Sequence, residues 1–353
     1  MGASCSSRTQ TDRRRWPSAP RPWRKRSASA ASWWRVSIEV AGRGEVSCDY
    51  DGDGPLLVGV DVGGTKIAAG LADGAGRIID AQRVPTPDEG GPRVVKEIVG
   101  LARSLLSRNH LAPGDIAAVG VAVPAVIEAG RGAVLWAPNI AGWQAETPVT
   151  GPIAQALGIR ASLHYDGHAW VAGEWWCGAA RGARHAALIA VGTGIGGGLI
   201  LDGRLHRGSV GVAGAIGWWV TDWRQGGART DSDHGWLESL ASGPAIARAA
   251  GTCTAEGAFS AARSGDDRAN AAVAQAAQVL GCAVANLVSL TDPDVVVLAG
   301  GVIAGGGDLI LPRVREIVAR EAQPQMARRV RVVAAELGDE AGWLGAARLA
   351  EEA

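Results

Sequence analysis

From Pro55 onward, short runs of β-branched and apolar residues alternate with longer stretches in which apolar positions recur every three or four residues. Runs of the first kind predict strands and stretches of the second kind predict helices. Leu56–Val62 reads as a strand, Ile67–Leu71 as its hairpin partner and Ile78–Val84 as a third strand. Val94–Arg108 carries Val95, Ile98, Val99, Ala102 and Leu105 at helical spacing. Ile116–Val123 is a buried strand stopped by Pro124, and Ala125–Trp136 an excursion and return. Val149–Leu157 reads as a helix, Ala161–Tyr165 as a strand ending at Asp166, and Gly167–Cys177 as a helix. The cycle then repeats. Ala186–Val191 and Leu199–Leu201 form a second hairpin that continues to Leu205, and a helical region begins at Gly235–Ser242. Ala269–Leu290 is a long helix, Val295–Ala299 a strand broken by Gly300-Gly301, and Leu309–Ala322 a helix. Val330–Ala334 is a last strand and Ala341–Ala350 a last helix. Two such cycles predict two α/β halves with mixed sheets and a ligand cleft between them.

Each cycle opens on a glycine turn. The first is Val58-Gly-Val-Asp-Val-Gly-Gly-Thr-Lys66 and the second is Gly192-Thr-Gly-Ile-Gly-Gly-Gly198. Glycine tolerates positive φ and lets a ligand approach the backbone. Successive backbone N–H groups form a concave site for phosphate oxygens. Two such turns on separate halves therefore predict a phosphate chain held between two domains.

Composition narrows the class. The chain has 353 residues, 47% hydrophobic and 20% charged, enough for two domains with real cores. No uninterrupted apolar run has the length of a membrane span. Net charge is zero, yet residues 1–35 hold nine Lys/Arg against one Asp, so the remainder is acidic. An acidic body argues against nucleic acid as the main partner. Residues 1–55 sustain no period. They read as a disordered or wrongly assigned basic extension, with a basic nucleic-acid-binding arm as the alternative. Five scattered cysteines without paired spacing fit a reducing, cytoplasmic setting. No metal-ligand spacing is evident.

In their order and spacing these segments resemble the ROK family of sugar kinases and repressors, within the actin/hexokinase-like ATPase superfamily. Val58–Lys66 is similar to that family's first phosphate loop and Gly192–Gly198 to its second. Ala137-Pro-Asn139 resembles a sugar-recognition segment, and Asp166 falls at the catalytic aspartate. Leu298-Ala-Gly-Gly-Val302 resembles the adenosine segment and Leu337–Gly342 the C-terminal signature. The resemblance implies a two-domain actin-like (ribonuclease H-like) ATPase fold with a nucleotide and sugar cleft between the domains. The expected division is 56–165, 166–340 and a final helix at 341–353 packing back on the first domain. Repressors of this family carry an N-terminal winged helix-turn-helix, and residues 1–55 show no such helical period, which favours the enzyme branch.

The resemblance implies ATP and Mg²⁺ as cofactors, a small sugar as partner and a homodimer. Gly63, Gly64, Thr65 and Lys66 would meet the phosphates from one side, and Gly192, Thr193, Gly194 and Gly196 from the other. Gly300 and Gly301 would admit the adenosine. Asp61 either holds Mg²⁺ through water or caps its turn. Asp166 is the expected general base, with helix capping as the alternative. Asn139, Asp166 and Glu238 are the expected sugar contacts, with Tyr165 and His168 as further candidates. His168 reads equally as a helix-surface histidine.

The acceptor side departs from the family pattern. Tyr165-Asp166 stands for Asn-Asp, and Gly214-Ala-Ile-Gly-Trp218 for Gly-Glu-x-Gly-His. The zinc-binding cysteines and histidine are replaced by Arg229, Asp231, Trp236 and Trp218, so structural zinc is not expected. Asp231, Asp233 and His234 could hold a hard cation or form a solvated loop. Trp218 and Trp236 are expected either to pack together where the metal would sit or to fill independent core sites. These losses keep a second function open, a catalytically silent sugar- or nucleotide-binding or regulatory protein.

Overall fold

The computed structural model describes residues 54–137, 140–221 and 235–353, together with the backbone of two further strands, β1 (Trp34–Val40) and β2 (Gly44–Tyr50). These two strands pair antiparallel within the segment expected to lack structure.

The first half contains β3 (Leu56–Val62), β4 (Lys66–Ala72), β5 (Ile78–Pro85), α1 (Gly91–Arg108) and β6 (Ile116–Val123). A small three-stranded sheet of β7 (Val126–Glu128), β8 (Ala133–Trp136) and β9 (Thr147–Pro148) follows. Then come α2 (Thr150–Leu157), β10 (Ala161–Tyr165) and α3 (Asp166–Cys177). The second half runs β11 (Ala186–Val191), β12 (Ile195–Leu201), β13 (Arg204–Leu205), α4 (Trp236–Ala241), α5 (Gly243–Ala250), α6 (Ala255–Arg263) and α7 (Asp267–Thr291). It closes with β14 (Val295–Ala299), α8 (Gly301–Glu321), α9 (Pro324–Ala327), β15 (Arg331–Ala334) and α10 (Ala341–Glu351).

The two main sheets share one topology. In the first, β3, β4 and β5 form an antiparallel meander, and β6 and β10 extend it in parallel on the other side of β3. In the second, β11, β12 and β13 form the meander and β14 and β15 the parallel extension. Central strands are buried on both faces, which explains their unbroken apolar runs.

Two helices separate the sheets. α3 lies on β11 and β12, where Val171 packs with Leu188, Ile200, Val295 and Val297. α10 lies on β3 and β6 and also packs on α3. The α10 backbone sits directly on two strand glycines. A Cβ built on Gly59 would stand 1.8 Å from the Trp343 carbonyl oxygen, and one on Gly120 would stand 1.9 Å from that of Ala346. Gly345 faces Ala169 of α3 just as closely.

Two elements differ from the sequence pattern. α8 begins at Gly301, eight residues earlier than the apolar period indicates, and runs through Gly305–Gly307. Phe259 packs flat on Gly306, where a Cβ would meet its ring at 2.5 Å, so tertiary contact overrides the low helix propensity of glycine. α7 is long and apolar enough to cross a membrane by length and composition, but it is a core helix packed against α4, α5, α6 and α8.

Candidate functional site

Both glycine turns join hairpin strands, β3 to β4 and β11 to β12, but not by the backbone conformation the glycines suggest. Gly63, Gly64, Gly192, Gly194 and Gly196 all have negative φ. Their role is close approach. A Cβ on Gly194 would stand 2.7 Å from Glu238 Oε2, and one on Gly196 would stand 3.0 Å from the Tyr165 hydroxyl. Gly192 and Gly301 have nothing within 4 Å of that position, which leaves room for a ligand against the backbone. Gly300 does take positive φ, 88°, and caps α8 against the Val191 backbone.

Each loop is braced from behind. Gly63 N–H donates to the Lys66 carbonyl, and the Thr86 hydroxyl donates to the Gly63 carbonyl at 2.7 Å. Gly192 N–H donates to the Gly194 carbonyl, Gly243 N–H to the Gly192 carbonyl, and Ile195 N–H to Glu238 Oε2 at 2.7 Å. Gly64, Thr65, Lys66 and Thr193 are left exposed at the loop tips.

Asp61 is the last residue but one of β3, and Asp166 is the first residue of α3. Burial, then the neighbouring Asp166 carboxylate, pushes Asp61 up to about 7, with Lys66 acting the other way. Burial pushes Asp166 up to about 6, partly offset by the N–H of Gly167, which donates to Asp166 Oδ1 at 2.7 Å. The two carboxylates are therefore close enough to act on one another, and both are partly exposed. Tyr165, not Asp166, occupies the helix-capping position and makes no side-chain cap bond. The Asp166 carboxylate instead accepts from the Gly167 N–H, the second of α3, so the capping alternative holds only in part.

Burial, followed by Asp166 and Glu238, keeps the Tyr165 phenol firmly neutral. Glu238 spends an oxygen on the second loop. His168 is neither a surface residue nor presented as expected for a sugar. It is 1% exposed, its Nε2 bonds the Ala213 carbonyl at 2.9 Å, and its ring meets Tyr165 edge-on. Burial pulls His168 down to about 4, so the imidazole is neutral. Asn139 lies outside the described residues, as do Arg229, Asp231, Asp233 and His234. Of the two tryptophans expected either to pack together or to fill independent core sites, Trp218 is 49% exposed, while Trp236 packs on the core of the second half.

Lys66 does not point freely into the cleft. Its Nζ lies 2.5 Å from Asp339 Oδ2, in the segment that precedes α10. Arg83 pairs with Glu340 of the same segment. Gly342 fits against Asp61, whose Oδ2 would be 2.1 Å from a Cβ there. Sequence reading missed this involvement of Asp339 and Glu340. It also missed Glu174, a fully buried carboxylate on α3. The available signal was an acid in the middle of a largely apolar stretch, since Glu is almost never fully buried without partners.

Among described residues no group of three or more His, Cys, Asp or Glu forms a cage for a metal ion. One carboxylate and exposed loop hydroxyls instead suit Mg²⁺, which keeps most of its water and takes few protein ligands.

The chain is similar to known proteins over most of its length. A glucokinase of Halalkalibacterium halodurans is 33% identical over 316 residues, covering 84% of this chain and 94% of that protein. The crystal structure of a ROK hexokinase from Thermus thermophilus superposes with a TM-score of 0.74 at 35% identity, covering 84% of this chain and 97% of the other. A ROK family glucokinase from Streptomyces griseus, solved with glucose and AMPPNP, gives 0.70 at 31% identity, covering 84% of this chain and all of that one. The ROK family profile matches residues 57–353, the span that carries both sheets, both glycine loops and the Asp61–Asp166 pair, and the chain belongs to the ROK family.

Proposed function

We propose that this protein transfers the γ-phosphoryl group of ATP to a hydroxyl of a sugar, as a glucokinase-like ROK sugar kinase. The observation that carries this is the closeness of Asp166, at the start of α3, to Asp61, just before the first glycine loop, in a chain similar to glucokinases over most of its length. Phosphoryl transfer needs a phosphate cradle, charge neutralisation and a base at the attacking oxygen. The exposed backbone of Gly64, Thr65 and Thr193, with Gly63, Gly192, Gly194 and Gly196 shaping the loops, would form the cradle. Gly300 and Gly301 would lie under the adenosine. Asp61 would hold Mg²⁺ through water. Bound there with ATP, Mg²⁺ would neutralise charge on the phosphates.

Asp166 would accept the hydroxyl proton. Its raised pKa suits the role, because a base works best when its pKa lies near the operating pH. Tyr165 and Glu238 would line the acceptor side together with Asn139. His168 acts there as an anchor for the Ala213 loop, not as a donor to sugar. Because Tyr165 and Trp218 replace polar family residues, we infer an acceptor wall with more apolar surface than a standard glucose site. A homodimer follows from the family resemblance, and light scattering on the purified protein would check it.

The test is ADP release with ATP, Mg²⁺ and a panel of hexoses, amino sugars and N-acylated sugars. Asp166→Asn should lower kcat by roughly 100-fold or more, in the range that general bases contribute, with AMPPNP affinity retained. Equal turnover by both proteins would remove Asp166 from the chemistry. Absence of turnover with every sugar, alongside sugar-dependent thermal stabilisation, would favour the silent binding protein instead.

A further inference from the structure

β15 ends at Ala334, and the next N–H, of Ala335, makes the last ladder bond, to the Leu298 carbonyl at 2.9 Å. The chain then leaves the sheet for the first phosphate loop. The N–H groups of Glu336 and Leu337 have no strand to bond, and both donate to one side chain. Glu336 N–H reaches Glu174 Oε2 at 3.2 Å, and Leu337 N–H reaches Oε1 at 2.9 Å. Ala179 N–H, beyond the end of α3, donates to Oε2 at 2.8 Å. Glu174 itself is 0% exposed. Burying a carboxylate is costly unless hydrogen bonds replace its water, and these three backbone donors do so. The neighbouring Gly173 admits the Ala341 carbonyl, 2.3 Å from where a Cβ would be.

What this buried carboxylate holds is the segment that touches the first loop. Two residues after Leu337, Asp339 takes Lys66. Three residues further, Gly342 lies on the Asp61 carboxylate. Glu340 accepts from Arg83 and from the Trp343 indole, which fixes the segment between its ends. Glu174 shares its helix with Asp166, eight residues or about 12 Å away at 1.5 Å per residue. One rigid helix therefore carries the candidate base at its start and the clamp on the first loop's neighbour two turns later.

We propose that Glu174 is a positioning residue for the nucleotide side of the cleft: it pins residues 336–337 to α3 so that the segment up to Gly342 sets the places of Lys66 and Asp61. This rests on the reading that nucleotide binds at the first loop. On the sugar side, Tyr165 meets His168 and Gly196 and Glu238 bonds the second loop, whereas the pinned segment meets Lys66 and Asp61. Disturbing Glu174 should therefore separate the two ligands, which a merely structural role would not do.

The test is Glu174→Gln, which keeps the shape but turns one acceptor oxygen into an amide that faces a backbone donor. AMPPNP affinity is read by calorimetry and, separately, KM is measured for the best sugar of the panel. AMPPNP affinity and KM for ATP should weaken about tenfold while KM for sugar stays within about twofold. Unchanged AMPPNP affinity in a folded variant overturns the proposal, as does an equal loss for both ligands. If Glu174→Gln fails to fold by circular dichroism, Gly342→Ala reads the same linkage at its far end, where the new methyl meets Asp61. The same nucleotide-selective loss is expected, and unaltered nucleotide affinity overturns the proposal. Wild-type protein that binds no AMPPNP would instead overturn the nucleotide reading of the loop, an outcome distinct from either variant behaving like wild type.

Discussion

Asp61 and Asp166 lie close together, so each would be easier to charge if the other were neutral. With Asp166 at about 6 and Asp61 at about 7, the protons belong to the pair as much as to either residue. A base must be unprotonated, so sugar-dependent turnover should rise with pH through an apparent pKa near 6 and fade below it. A flat acid limb down to pH 4.5 would exclude Asp166 as the base. The same shifts bear on stability. Both carboxyls have folded pKa values above the usual 3.8, so the folded state binds protons more tightly than the unfolded chain does. Their favourable contribution is complete below the unfolded value and is lost as pH rises through about 6 and 7. In nucleotide-free protein, Asp61→Asn should therefore raise Tm at pH 8 and raise it less at pH 5. An equal shift at both pH values in thermal denaturation would contradict this.

Elements meet here through glycines, and the reason differs by position. Gly59 and Gly120 exist for the α10 backbone that lies on them. Alanine at Gly120 should cost on the order of 1–3 kcal/mol or more, because backbone cannot move aside as a flexible side chain can. Gly100, on the exposed face of α1, has nothing within 4 Å of its would-be Cβ. Alanine there should stabilise by roughly 0.5–1 kcal/mol through helix propensity alone. Urea unfolding of the two variants should give midpoint shifts of opposite sign. Matching shifts would mean that α10 does not lie on β6 as described. The contrast also explains why α8 was misjudged at its start. The apolar period begins only at Leu309, yet the helix already includes Gly305 and Gly306, on whose bare surface Phe259 packs.

At the scale of the whole molecule, the two halves repeat one sheet topology and meet through α3 and α10, so the cleft is framed by structure that lies after residue 53. β1 meets this frame at β5. The family match likewise begins at residue 57. A chain starting at residue 54 should keep kcat and both KM values within about twofold of the full chain. A larger loss in the coupled ADP assay would give the N-terminal segment a part in the site.

Local rules determined the strands, both glycine hairpins, most helices and the repeat of one α/β cycle, because each of these follows from periodicity and turn chemistry within a short window. Asp61 and Asp166 stood out as polar residues at the ends of apolar runs beside a turn and a helix start, but their proposed roles came from the resemblance to the ROK family and not from local rules. Tertiary structure alone decided which glycines serve close packing, that His168 turns inward to Ala213, and that Trp218 and Trp236 do not form a buried pair. It also decided that Lys66 meets Asp339, a partner 273 residues away. Glu174 is the clearest case. Its need for partners could be read from its place in an apolar helix, but their identity could not, because the donors are backbone N–H groups that any sequence carries and that only the end of β15 leaves unpaired.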